Sequence, residues 1–475
     1  MRAGAVSTPL RPANTARVRP RGVARLFATV LAVGLVGYAY GNKGFAYLGL
    51  PPFFYDSLIF ALAASFLLLR PRWMRLLADP TVFLLLLFVF WGALRTIPGI
   101  AEYGISALRD GVIWGWGAIA LAVAHLVRRN LRPMALAQWY GTTMLWFVLW
   151  VPVAFVLSRM LGDSLPRWPW GPDGGVPVIV FKGGDAGVHL AGVLAFWLFV
   201  APRLRTVALP APLMWPGWFA SFLVAATLNR GGFLALLLGS GFAAMHARLL
   251  RMVRVALVVA ALTNAAILAS VLDLLPRYQV NDRIIGTEQL YTNVVSIFWD
   301  VEGFSGTGTK RWRLAWWGEI IDYTVFGNYF WTGKGFGINL ADDDGFQVVA
   351  DGSLRSPHNG HLTILARMGV PGFVLWVLFL GSLLLRLWLR YRRLKRAGAA
   401  FEAALCLWVL AFLIAAIVNA TFDVYLEGPM GGVWFWSVTG LGLSLVVRRR
   451  YPIQRFGPRV RHISRSSAAC RTLPV

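Results

Sequence analysis

Charge is what this sequence has least of. Only 14% of its 475 residues are Asp, Glu, Lys or Arg, where an ordinary soluble domain carries about 25%. With 57% apolar residues and a mean hydropathy of +0.61, the chain could not clothe itself in a water-soluble surface, which excludes a cytosolic globular enzyme. Cysteine is nearly absent. Of the two, Cys406 lies in an apolar stretch and Cys470 in the C-terminal tail, so neither a disulfide framework nor a Cys-based metal site is expected. Acids are scarce too, 21 against 46 basic residues, for a net charge of +25. In a soluble chain that excess would suggest nucleic acid; in a membrane chain its placement has to be read first.

What is present instead is a series of long apolar runs. Each crossing needs roughly 20 residues to span about 30 Å of hydrocarbon. Such runs start near Ala24, Pro52, Thr81, Gly111, Met134, Gly187, Pro212, Gly231, Val255, His358, Phe401 and Pro429. The expected fold class is all-α: a polytopic membrane protein of about twelve transmembrane helices with one large outer loop containing short amphipathic helices. The expected organisation is a disordered basic tail over 1–23, transmembrane helices 1 to 9 over 24–275, the large outer loop over 276–357, helices 10 to 12 over 358–450, and a tail over 451–475. The first run, Leu26 to Tyr40, reads as a retained signal anchor, since no persuasive cleavage site follows it.

Basic clusters fix the orientation. Arg2 to Arg25, Arg70 to Arg75, Arg128 to Arg132, Arg203 to Arg205, Arg248 to Arg254, Arg386 to Arg396 and Arg448 to Arg471 fall on one side of the alternating path, with only Asp79 and Glu402 among the acids. By the positive-inside rule that side is cytoplasmic and holds both termini. The charge is then a topology signal and calls for no nucleic acid.

Two segments interrupt the pattern of short loops: Ser158 to Ala186, with Arg159, Asp163, Arg167, Lys182 and Asp185, and the outer loop from Pro276 to Pro357. Any chemistry belongs there. The outer loop is rich in aromatic residues, including Trp299, Trp312, Trp316, Trp317, Tyr323 and Trp331, which suit the lipid headgroup zone or the apolar faces of sugars. Between Lys310 and Phe326, Leu314, Trp317, Ile321 and Val325 recur at helical spacing, as in an amphipathic helix lying on a membrane. Lys310, Arg311 and Arg313 sit at its N-terminal end, where the helix dipole is already positive, an arrangement that an anion would relieve. The preceding Ser305 to Thr309 could turn backbone N–H groups toward a phosphate. A pyrophosphate site explains both features, and basic anchoring to anionic headgroups is the alternative. Gly333-Lys334-Gly335-Phe336-Gly337 reads as a glycine-rich turn with Lys334 as an anion candidate, and matches neither a P-loop nor a dinucleotide fingerprint.

The loop ends in His358-Asn359-Gly360-His361 at the mouth of a span. An imidazole there titrates near about 6.5 and can take the proton of a sugar hydroxyl as its oxygen attacks an anomeric carbon. Alternatively His358 only caps or anchors the helix, and His361, on the same face, orients it or simply packs.

These residues resemble the O-antigen ligase and polymerase superfamily of bacterial membrane glycosyltransferases. Its loop-to-span signature is matched by His358-Asn359, nine residues from Gly360 to Met368, then Gly369-Val370-Pro371-Gly372. Asn229-Arg230-Gly231-Gly232 is similar to the family's Ser-Arg-Gly turn, with Asn at its first position, and Arg313 stands four residues before Trp317. The resemblance implies metal-independent transfer, with no cofactor, of a glycan from an undecaprenyl-pyrophosphate carrier to an acceptor hydroxyl on lipid A core or a growing polysaccharide, at the outer face of the bacterial inner membrane. His358, Arg230 and Arg313 become the catalytic candidates, the arginines gripping the pyrophosphate. Lys310, Arg311, Lys334, Asn359, His361 and Trp317 become substrate-binding candidates, and the carrier-linked donor, the acceptor and membrane lipids the partners. Ligase and polymerase differ only in acceptor, so either reading stands, and a polysaccharide flippase is the alternative of another class. Asp423 and Glu427 could supply a carboxylate base; Asp342-Asp343-Asp344 reads as a solvated loop, and Arg109 with Asp110 as a structural pair.

Overall fold

The computed structural model describes residues 22–48, 54–162, 164–169, 175–204, 210–247 and 305–447, with a few isolated positions between 254 and 285. Nearly all of these are helical. The longer helices are α1 (Val23–Gly41), α2 (Phe54–Leu69), α3 (Pro80–Tyr103), α4 (Ile105–Arg129), α5 (Pro133–Thr143), α6 (Phe147–Met160), α7 (Gly183–Ala195, continued in π and 3-10 turns to Arg203), α8 (Ala211–Leu228), α9 (Arg230–His246), α10 (Ser305–Ile321), α11 (Gly360–Arg396), α12 (Ala400–Ala420) and α13 (Pro429–Val446). The strands described are two small antiparallel pairs, Arg167–Trp168 with Val176–Pro177 and Tyr278–Val280 with Arg283–Ile285.

A helix begins at or close to each expected span start except Val255, which lies outside the described residues, as do nearly all of the two expected tails and most of 276–304. Among the described residues six helices are long and apolar enough to cross a membrane, or seven if α5 and α6, bent by 40°, form one span; α2 and α8 are shorter apolar helices. The chain is an all-α polytopic membrane protein.

Small residues decide how its centre packs. Helices associating in lipid gain little from apolar burial and depend on close backbone approach. A Cβ on Gly239 of α9 would stand 2.8 Å from the Cβ of Ala415 on α12 and 2.9 Å from that of Ala191 on α7, and one on Gly187 of α7 would stand 2.6 Å from the Gly232 carbonyl oxygen. The three helices therefore meet along a seam without bulky side chains. It levels the starts of α7 and α9 with the end of α12, and so fixes which loop residues meet.

α11 is broken near its start. Gly369 adopts φ 66°, a left-handed conformation that suits glycine, and a Cβ there would stand 2.5 Å from the Phe330 oxygen. The carbonyls released by the break are taken by the glycine-rich turn. Lys334 N donates to Ala366 O at 2.7 Å and Gly335 N to Arg367 O at 3.1 Å, while Val370 N donates to Phe330 O at 2.8 Å. Satisfying freed backbone groups from neighbouring chain is what allows a helix to be interrupted at membrane depth.

Buried charges pin that junction to α4. Asp110 Oδ2 accepts from Arg367 at 2.9 Å, from Arg355 at 3.0 Å and from Gly337 N at 3.2 Å. Arg367 Nη1 also donates to Gly335 O and Ile338 O, both at 3.2 Å. Arg109 approaches Asp110 only to 3.9 Å with its side chain 59% exposed, so the adjacent pairing read from sequence is secondary to these contacts. Asp110→Ala would leave two guanidinium groups uncompensated, and we expect it to cost about 3–5 kcal/mol of folded stability, measured as thermal unfolding in detergent, with Asp110→Asn costing less.

Candidate functional site

Lys182 immediately precedes α7, Arg230 opens α9, His358 precedes α11, and Phe422 and Asp423 follow α12. The small-residue seam brings these positions together. A Cβ on Gly231 would stand 2.3 Å from Phe422 Cβ, and one on Gly184 would stand 2.7 Å from Asn419 Oδ1 and 3.3 Å from Asp423 Oδ2. α10 then crosses this cluster. Arg313 Nη1 donates to Phe422 O at 3.0 Å, and the Trp317 indole N–H donates to Pro357 O at 2.9 Å, gripping the residue before His358. Arg313 thus contacts Phe422 directly, and Arg230 is the chain neighbour of Gly231, whose backbone packs against Phe422.

The charges alternate. Lys182 Nζ lies 2.9 Å from Asp423 Oδ2 and 3.5 Å from Asp185 Oδ1, and Asn42 Nδ2 donates to Asp185 Oδ2 at 2.9 Å. Burial acts to raise the Asp423 carboxyl, but attraction and hydrogen bonding from Lys182 outweigh it, so its net direction is down. Burial acts to lower Lys182, and the two carboxylates reverse that. His358 is pushed below its ordinary value by burial first, then by the Arg313 guanidinium, against an upward pull from Asp423 and a further downward push from Lys182. Its imidazole is therefore neutral at neutral pH while keeping a carboxylate within electrostatic reach. Arg313 keeps its Nε–H buried with no hydrogen-bond partner. An unpaired donor on a desolvated guanidinium is a strong site for an anionic oxygen.

Two non-glycine residues among those described have positive φ, Asn42 at 49° and His358 at 52°. Both belong to this cluster. Such conformations are held by surrounding structure and concentrate at functional sites. Around His358 the holding groups are visible. Asn359 caps α11, its Oδ1 accepting from His361 N at 3.0 Å and Leu362 N at 3.1 Å, and Glu427 accepts from Thr363 Oγ1 at 2.8 Å and bonds Ser356.

Several candidates take other roles. Lys334 Nζ sits 2.6 Å from Asp343 Oδ2 and 2.5 Å from Asp344 Oδ1, with its side chain 9% exposed, so it answers two carboxylates instead of offering an open anion site. Asp344 is buried for the same reason, which corrects the reading of Asp342 to Asp344 as a wholly solvated loop. His361 accepts at Nδ1 from the Trp376 indole at 3.0 Å and contacts Ile417 O through Nε2 at 3.0 Å; it ties α11 to α12 and does not orient His358. Asn359 is a buried helix cap, and Trp317 spends its indole N–H on Pro357. Glu427 braces the loop end, which leaves Asp423 as the carboxylate facing His358. Ser305 to Thr309 lie within α10 instead of before it, so Lys310 and Arg311 stand beyond the first turn, where the dipole argument fades. Lys310 is half-buried at i−3 from Arg313, and Arg311 is exposed. On α10 the packed face is Trp316 and Ile320, both fully buried, while Leu314 and Ile321, and Val325 just beyond the helix, are exposed. Lys182, Asp185 and Asn42 were not singled out as site residues. The first two lie in the polar segment read as a place for chemistry, and nothing in the sequence marks Asn42.

The family model described as O-antigen ligase matches residues 215–377. That stretch holds Arg230, Arg313, His358 and the broken start of α11, while Asn42, Lys182, Asp185 and Asp423 enter the cluster from outside it. No curated protein matches the chain. Its apolar helices make this chain a multi-pass membrane protein, and the segment from α8 into α11 is similar to the O-antigen ligase family.

Proposed function

We propose that the chain transfers a glycan from an undecaprenyl-pyrophosphate carrier to an acceptor hydroxyl at the outer face of the bacterial inner membrane, with both termini cytoplasmic. The observation that carries this reading is the meeting of Arg313, Lys182, Asp423 and His358, beside Arg230, at the ends of helices otherwise apolar.

The chemistry follows from the residues. The acceptor oxygen attacks the anomeric carbon as the bond from that carbon to the pyrophosphate oxygen breaks, and the pyrophosphate departs as an anion. The Arg313 and Arg230 guanidinium groups bind the phosphate oxygens and stabilise the charge growing there. His358, neutral before reaction, takes the hydroxyl proton, and the Asp423 carboxylate stabilises the imidazolium. Lys182 holds Asp423 ionised. Lys310 and Arg311 extend the positive field along α10, and its exposed apolar residues rest at the lipid surface.

Purified protein in vesicles, given a carrier-linked glycan, is expected to move it to lipid A core or to a second glycan; transfer to neither overturns the proposal. Cells lacking the protein separate ligase from polymerase. Free carrier-linked polymer accumulates without a ligase, and core capped with a single unit accumulates without a polymerase.

A further inference from the structure

Away from this cluster, a groove of about 750 Å³ opens between α1, α4, α5 and α13, with Trp408 of α12 also lining it. Its walls are almost wholly apolar, and Val33 on its rim is 52% exposed, so it opens sideways, where acyl chains lie. Along α1 it runs from Arg25 to Gly37, about 18 Å at the α-helical rise and close to the roughly 15 Å depth of one leaflet's hydrocarbon.

A further feature describes the occupant. The mouth is basic: exposed Arg25 lines it together with Leu131, which lies beside Arg132 and just past Arg128 and Arg129 at the end of α4. An apolar groove one leaflet deep with cations at its mouth complements a lipid that carries an anionic headgroup on its acyl chains.

We infer that this groove binds an anionic glycerophospholipid of the leaflet on the Arg25 side, its phosphate at Arg25 and one acyl chain running toward Gly37. The site is separate from the glycan-transfer cluster and does not depend on that reading.

The test uses the full-length protein in vesicles containing phosphatidylglycerol or phosphatidylethanolamine with a photoactivatable diazirine in the acyl chain. Adducts are mapped by peptide mass spectrometry. The expected result is labelling concentrated on α1, α4, α5 and α13, with phosphatidylglycerol favoured about five-fold, the scale of one Arg contact with an anionic lipid. Arg25→Gln, at an exposed position, should abolish that preference, and Ala32→Trp, which fills the groove, should remove the local adducts. Labelling spread evenly around the bundle, or no headgroup preference in the unmodified protein, overturns the inference. So does preferential labelling of the groove by a diazirine-bearing polyprenyl phosphate.

Discussion

Arg313→Ala should reduce the turnover rate of glycan transfer by roughly 10²- to 10³-fold, the usual effect of removing one preorganised donor from a developing oxyanion. The loss should appear at saturating donor, because the charge that Arg313 meets grows as the glycosidic bond breaks. Folding should survive. The one hydrogen bond lost is that to Phe422 O, worth about 1 kcal/mol, so thermal unfolding measured alongside should move little. Arg313→Lys restores a cation without the planar fork and should recover only part of the rate. Full activity of Arg313→Ala at every donor concentration would remove this residue from the site.

His358→Asn should be comparably severe, about 10²- to 10⁴-fold for loss of a general base. Asparagine is the informative replacement because the backbone there holds φ 52°, and Asn tolerates the left-handed region better than most residues. A β-branched replacement would confound lost chemistry with backbone strain. The pH profile gives a second reading. A base works when neutral, so activity is present above its pKa and falls as the pH drops through it. With burial and Arg313 pushing the imidazole down, the acidic limb should lie below the ordinary histidine value of about 6.5. Removing the Arg313 charge takes away one of those pushes, so the residual activity of Arg313→Ala should show that limb at higher pH. An acidic limb unchanged in His358→Asn would assign it to another group.

The helices were legible because bilayer thickness dictates run length, and His358, Arg230 and Arg313 stand out in the sequence as candidates because their spacing falls on a family pattern. What joins them was not. Lys182 meets Asp423 across 241 positions of sequence, and the cause is a seam of Gly187, Gly239, Ala191 and Ala415 that no periodicity announces. Lys334 looked like an anion ligand because its own turn contains no acid, yet Asp343 and Asp344 fold back on it from nine and ten residues further on. Ser305 to Thr309 looked like a flexible approach, since Gly and Thr are weak helix formers, but the packing of Trp316 and Ile320 against Leu365 and Ala366 holds α10 in place. Local propensity yields where tertiary burial is large.

The central claim is that these cations grip a diphosphate leaving group beside a neutral imidazole. Its most direct test is the affinity of the reconstituted protein for polyprenyl pyrophosphate without any glycan, compared with polyprenyl monophosphate and repeated with Arg313→Ala. The account predicts clear preference for the pyrophosphate, with affinity at least about ten-fold weaker in the variant, as loss of one charge-assisted contact implies. Equal binding of the two lipids, unaltered by the substitution, would contradict it.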